Sequence, residues 1–188
     1  MIESYDKSKI GRLISWGGDH TVFEYGHDKV IKYSLIELLM GKEGRPKIER
    51  DYRICKDFFR DYLLPTELKI SKNGKFTIAI QPKIFGKYLR IEDLANAIVK
   101  HQFREIMLAY NKLISSGYDQ IDFVGRGGVF KNCMSNIFVT PSKRLVIIDT
   151  TLLEFKSSGV FSFLFFFIKK LAVWRNNNVI KMFIKSVS

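Results

Sequence analysis

Phe130-Lys131-Asn132-Cys133-Met134-Ser135-Asn136-Ile137-Phe138-Val139, followed after a short turn by Leu145-Val146-Ile147-Ile148-Asp149, constrains the fold more than any other stretch of the chain. It reads as two apolar strands joined by a polar turn, with Asn136 entering the first strand and Asp149 leaving the second. A hairpin of this kind brings an amide oxygen and a carboxylate to one edge. Hard oxygen donors so placed suit Mg²⁺ bound to nucleotide phosphates. The same residues also describe an ordinary hairpin with a polar residue at each end.

Near the other end, Leu13-Ile14-Ser15-Trp16-Gly17-Gly18-Asp19-His20-Thr21-Val22-Phe23-Glu24-Tyr25 leads into Lys29-Val30-Ile31-Lys32-Tyr33-Ser34. Two apolar strands flank a Gly-Gly turn, and a third strand carries a lysine between hydrophobic neighbours. Backbone at Gly17 and Gly18 can approach a phosphate closely because no side chain intervenes. Lys32 then offers a point charge for phosphate oxygens. Read alone, the glycine pair is also a plain turn and the lysine a solvated one.

A helix is expected from Pro46, whose fixed φ suits the first turn, through Phe59. Ile48, Tyr52, Cys55 and Phe59 recur at helical spacing and are expected to face the core, with Glu49 beside that face and able to reach a lysine. Further strands are expected at Arg12–Ser15, Thr21–Tyr25, Val30–Ser34, Leu68–Ser71 and Phe76–Gln81, with Asn73-Gly74 turning the last pair. Pro82-Lys83-Ile84-Phe85-Gly86 bounds a loop. From Ile91 to about Ser116 the pattern is helical, with Phe103, Ile106, Met107, Tyr110, Leu113 and Ile114 on one face and Gly117 as the stop.

Taken in order, a glycine turn, a strand lysine, a helix glutamate, a helical middle and a late hairpin with Asn and Asp resemble the protein-kinase-like superfamily over roughly residues 12 to 155. More narrowly, the compact length and the Asn136-Ile137 loop are similar to the small bacterial YrbL family. The resemblance implies an α+β, two-lobed protein-kinase-like fold within one structural domain. Residues 1–81 would form a small antiparallel N-lobe sheet with one helix, and 82–188 a reduced, mainly helical C-lobe with a metal-binding hairpin. It implies ATP and Mg²⁺ as cofactors. Gly17, Gly18, Lys32 with its partner Glu49, and Gln81 and Lys83 at the hinge would then bind nucleotide, and Asn136 and Asp149 would hold metal.

The chain departs from the pattern where catalysis is concerned. Only the middle glycine of Gly-x-Gly-x-x-Gly falls in place, on Ser15-Trp16-Gly17-Gly18-Asp19-His20. In the resembled catalytic loop the acid stands five residues before the asparagine, and that position is Lys131. A lysine cannot act as a carboxylate base, although it can neutralise a transferring phosphoryl group. Thr150-Thr151 replaces the Phe-Gly that ordinarily follows the metal aspartate. Asp119 and Asp122 lie upstream, and the run Gly125-Arg126-Gly127-Gly128 can fold back to bring one of them near the metal; otherwise both are structural or solvated. Three functions follow as expectations. The first is a kinase-like ATP/Mg-binding phosphotransferase for a small molecule or lipid-linked sugar, with Lys131 and Asp122 as catalytic candidates. The others are an impaired pseudokinase serving as a binding module, and a basic membrane-surface protein.

Composition limits the partners. With 31 Lys and Arg against 19 Asp and Glu the net charge is +12, which attracts polyanions such as anionic lipid or a phosphorylated glycan. The cations are dispersed and no nucleic-acid motif accompanies them, so specific nucleic-acid binding is not expected. Cys55 and Cys133 lack metal-ligand spacing and read as reduced, with a cytoplasmic location expected and no secretory signal in residues 1 to 12. The apolar run Val160–Ile168 is too short for the roughly twenty residues of a spanning helix. It reads either as a buried helix, with Phe161, Leu164, Phe165, Ile168 and Leu171 as its core stripe, or as an interfacial helix at the inner face of a membrane.

Overall fold

The computed structural model describes residues 5–16, 20–34, 44–70, 77–125, 132–153 and 162–187, without the side chains of 44–45 and 162–168. The fold is α+β. Its contacts divide the chain into two compact units, one of residues 1–50 and 64–84 and the other of 51–63 and 85–188.

The first unit is built on a five-stranded sheet of β1 (Ile10–Trp16), β2 (His20–Tyr25), β3 (Lys29–Ser34), β4 (Glu67–Ile70) and β5 (Thr77–Pro82), in the order β1-β2-β3-β5-β4. Every neighbouring pair is antiparallel. Alternation along the strands sends Ile31, Ile78 and Ile80 inward, where they are buried with Tyr5. Tyr33 packs edge-on against both Tyr5 and Phe23, with ring centroids 6.3 Å and 5.9 Å apart. Gly26, at φ +65°, supplies the left-handed residue of the β2–β3 turn. The Asn73-Gly74 turn lies outside the described residues.

Helix α1 (Gly44–Phe59) continues across the division, which falls between Arg50 and Asp51. Cys55 and Phe59 are buried as the spacing requires, but Ile48 and Tyr52 are only half-buried. The polar Lys47 and Asp51 are buried instead.

The second unit contains a three-stranded sheet, β6 (Lys87–Arg90), β7 (Cys133–Val139) and β8 (Leu145–Ile147), antiparallel in that order. Strand β6, just before the stretch expected to be helical from Ile91, was not among the expected strands. Asn136 sits in the centre of β7 instead of at its entrance, because that strand begins at Cys133 and is paired on both sides. The helix expected from Ile91 is a 3-10 turn, Ile91–Ala95, and then α2, Ala97–Ser115. Asn96 separates them, its Oδ1 accepting from Ile98 N and Val99 N as an N-cap. Gly117, at φ +84°, ends α2 as expected, whereas Ile114 points away from the core and is exposed.

Helix α3, Ser162–Val187, is longer than the apolar run suggested. Among its described side chains the buried ones are Asn176, Val179, Ile180, Phe183 and Val187. Leu171, expected in the core stripe, is exposed, because the face that packs is the one carrying Asn176 and Phe183. Phe161, Leu164, Phe165 and Ile168 lie outside the described side chains. Phe103 meets Phe183 at 5.7 Å, and Phe123 meets both Phe59 and Tyr110, giving one continuous core. Both cysteines are buried thiols outside any disulfide. Among the described residues no helix is long and apolar enough to cross a membrane.

Candidate functional site

Three segments of the second unit, far apart in sequence, are woven together by backbone hydrogen bonds. Asn136 N donates to Phe123 O (3.1 Å) and Ile148 N donates to Asn136 O (3.0 Å). Asp122 N donates to Thr151 O (3.0 Å) and Leu153 N to Gln120 O (2.7 Å), while Ile121 bridges Leu152. The consequence is that Asp122, Asn136 and Asp149 gather in one place. Buried backbone groups are thereby satisfied, which fixes the loops that carry the side chains.

Each side chain is itself held. Asn136 Nδ2 donates to Asp122 O at 2.7 Å, which orients the amide and leaves its oxygen directed toward Gly125. A Cβ on Gly125 would stand 2.4 Å from Ser135 Oγ and 3.1 Å from Asn136 Oδ1, and φ there is +58°. Only glycine fits that approach. Asp149 Oδ1 accepts from Thr151 N (3.2 Å) and Thr151 Oγ1 (3.0 Å), tying it to the residue whose carbonyl holds Asp122 N. Outside this cluster, Cys55 Sγ donates to Thr150 O and Leu152 N donates to Asp51 Oδ2 at 3.1 Å, so the C-terminal half of α1 anchors the segment that follows Asp149.

Asp122 is 8% exposed, and its carboxylate is well supplied with donors. Val124 N and Gly125 N each donate to Oδ1 at 3.0 Å, and Arg175 Nη2 reaches Oδ1 at 3.3 Å and Oδ2 at 3.1 Å. Burial nevertheless dominates and raises its pKa above the ordinary carboxylate value; Asp149 adds to the rise, while Arg175 and the two backbone donors oppose it.

Helix α3 supports this loop through amides that sequence reading missed. Asn176 is fully buried, its Oδ1 accepting from Phe123 N (3.1 Å) and its Nδ2 donating to Ile121 O (2.9 Å) and Gln120 Oε1 (3.3 Å). Gln120 Nε2 donates to Asn177 Oδ1 at 2.9 Å. Three consecutive asparagines inside the helix were the available signal, since such residues weaken a helix unless their amides find partners.

Among the described residues no group of three or more His, Cys, Asp or Glu side chains is placed to hold a metal ion. A closed protein cage is therefore absent from them. Asn136 and Asp149 do offer the one or two hard oxygen ligands that Mg²⁺ takes when phosphates and waters complete its shell, so the donor set fits a phosphate-bound ion.

Of the residues singled out in the first unit, Lys32 is half-buried on β3 between Val22 and Ala79. Glu49 is exposed on α1. Gln81 is buried at the end of β5, its Nε2 donating to Thr66 Oγ1 at 2.8 Å. Lys83 pairs with Glu24 at 3.0 Å and holds Glu24's pKa below the ordinary value. Gly17, Gly18 and Lys131 lie outside the described residues. Asp119 pairs with Lys169, its Oδ1 3.4 Å from Nζ.

No protein-family model matches the chain, and no curated protein matches it. Among solved structures it is similar to the apo form of PpkA-294, a fragment of a Ser/Thr kinase, with a TM-score of 0.50 and 17% sequence identity. The likeness covers 80% of this chain and 61% of that one, so this chain matches about three-fifths of its neighbour's length. At this identity the similarity is one of fold, and the fold is kinase-like.

Proposed function

We propose that the protein is a two-lobed, kinase-like ATP- and Mg²⁺-binding protein, akin to the small bacterial YrbL family, with Asn136 and Asp149 as its metal-binding side chains. The observation that carries this reading is the gathering of Asp122, Asn136 and Asp149 by the hydrogen bonds of three separate segments. In the same proposal Gly17, Gly18, Lys32, Glu49, Gln81 and Lys83 belong to nucleotide binding, and Lys131 offsets charge on the transferring group. When bound, ATP supplies the phosphoryl group and Mg²⁺ neutralises part of its charge. The chain's own contribution is positioning. Asn136 is oriented by Asp122 O, Asp149 by Thr151, and the turn at Val124 and Gly125 by the Asp122 carboxylate. The proposed acceptor is a small molecule or a lipid-linked sugar.

A second reading, a pseudokinase that binds nucleotide without transferring phosphate, is favoured by the state of Asp122. Its carboxylate is buried and accepts from two backbone donors and Arg175, which engages it within the fold and away from an acceptor hydroxyl.

Thermal shift with ATP and Mg²⁺ tests binding, because a ligand at a hundred times its Kd stabilises the folded state by about 2.7 kcal/mol. No shift at saturating nucleotide rejects both readings. Radiolabel transfer from ATP, compared between the wild type and Asp149→Asn, separates them: transfer lost in the variant supports the phosphotransferase, and background transfer by both leaves the binding module.

A further inference from the structure

Helix α3 contains five cations, Lys169, Lys170, Arg175, Lys181 and Lys185, and no Asp or Glu. Lys169 lies beside Asp119 and Arg175 on Asp122. Lys170, Lys181 and Lys185 are exposed. At about 100° per residue, Lys170, Leu171, Trp174, Asn178, Lys181 and Lys185 fall within an arc of about 100°. The buried Asn176, Val179, Ile180, Phe183 and Val187 occupy an arc of similar width on the opposite side. The helix has therefore committed one face to the core, and the outer face still presents Leu171 at 64% and Trp174 at 60% exposure.

We propose that this outer face is a docking surface for an anionic phospholipid bilayer. Leu171 and Trp174 enter the boundary between headgroups and acyl chains, and Lys170, Lys181 and Lys185 meet the lipid phosphates. Charge complementarity selects this occupant. The exposed charges of the face are of one sign and lie along the axis of a helix about 39 Å long, so the helix can lie flat on a negative plane. Tryptophan and lysine suit that boundary, one with an amphipathic ring and the other with an apolar stem that lets its charge reach the headgroups. The net charge of +12 adds long-range attraction to the same surface. This surface stands whether or not the nucleotide reading does.

The test uses the full chain carrying Trp16→Phe, which leaves Trp174 as its sole tryptophan. Vesicles of phosphatidylcholine alone are compared with an equal mixture of phosphatidylcholine and phosphatidylglycerol. Flotation with the mixture alone is expected, together with a blue shift of Trp174 emission and its quenching by brominated acyl chains. Replacing Lys170, Lys181 and Lys185 with Gln is expected to weaken binding at low salt by about fivefold per lysine. Leu171→Ser with Trp174→Ser is expected to abolish flotation while leaving the melting temperature unchanged. The quenching measurement keeps α3 intact, so it decides even where a helix variant fails to fold. Failure to float with the mixture overturns the proposal. So does flotation with Trp174 unquenched, which would put another surface on the lipid, and so does undiminished binding by the serine pair.

Discussion

Against the five-stranded sheet the described buried apolar cluster is Tyr5, Ile31, Ile78 and Ile80, whereas around the three-stranded sheet Phe59, Phe103, Phe123, Met134, Ile137 and Phe183 all lie within one core. β1 is exposed along most of its length, while β7 is buried at most positions. The first region is held largely by its backbone ladder and a thin apolar layer, the second by close packing from sheet and helices together. Local opening costs least where few apolar contacts must be broken, so the first sheet is expected to open more readily than the second. The segments that carry Asp122, Asn136 and Asp149 belong to the better-packed region, which holds their geometry fixed.

Core substitutions give the largest expected difference. Phe103→Ala, which removes a fully buried ring packed on Phe183, is expected to cost about 3–5 kcal/mol in urea unfolding. Ile80→Val in the first sheet is expected to cost about 1 kcal/mol. Equal costs would remove the contrast between the regions.

Asn176→Ala sharpens the comparison by testing polar support within the second region. It strands Phe123 N and Ile121 O in a buried setting, with an expected loss of roughly 2–4 kcal/mol. Asn177→Ala, which loses one half-buried partner in Gln120, is expected to cost far less, about 1 kcal/mol. Similar melting of the two variants would show that the clamp on the Asp122 loop is not centred on Asn176.

A smaller effect follows from Asp122. Burial raises its pKa in the folded chain above the ordinary value of 3.8. Folding therefore binds its proton more tightly, so its contribution is favourable below the ordinary value and is lost as pH rises through the raised one. Urea midpoints of the wild type should show this loss in the acid range from 3.8 upward, and those of Asp122→Asn should not. Arg175→Gln removes the strongest opposing influence and should carry the loss to higher pH. Identical pH profiles for all three proteins would show that Asp122 does not titrate differently on folding.

Much of the first sheet was legible because alternating Val, Ile, Phe and Tyr between Gly and Pro breaks encode period two directly. β6 was not, since Lys87-Tyr88-Leu89-Arg90 offers a single buried apolar residue, Leu89, and takes its strand form from pairing with β7. The start of α2 was misread because Ile91 and Leu94 continue a helical spacing that the Asn96 cap interrupts. The site was partly legible. Asn136 and Asp149 stood out as polar residues at the ends of apolar strands, and the glycine run that begins at Gly125 suggested that Asp119 or Asp122 could fold back toward them. Arg175 and Asn176 did not, because their partners lie more than fifty residues away and nothing local records a long-range clamp.

The central claim is that Asn136 and Asp149 hold a phosphate-bound Mg²⁺, and calorimetric titration of ATP with Mg²⁺ tests it most directly. Wild type is expected to bind, and Asp149→Asn, folded and of the same shape, is expected to bind at least about tenfold more weakly. Indistinguishable binding by the two proteins, or none by the wild type, would contradict it.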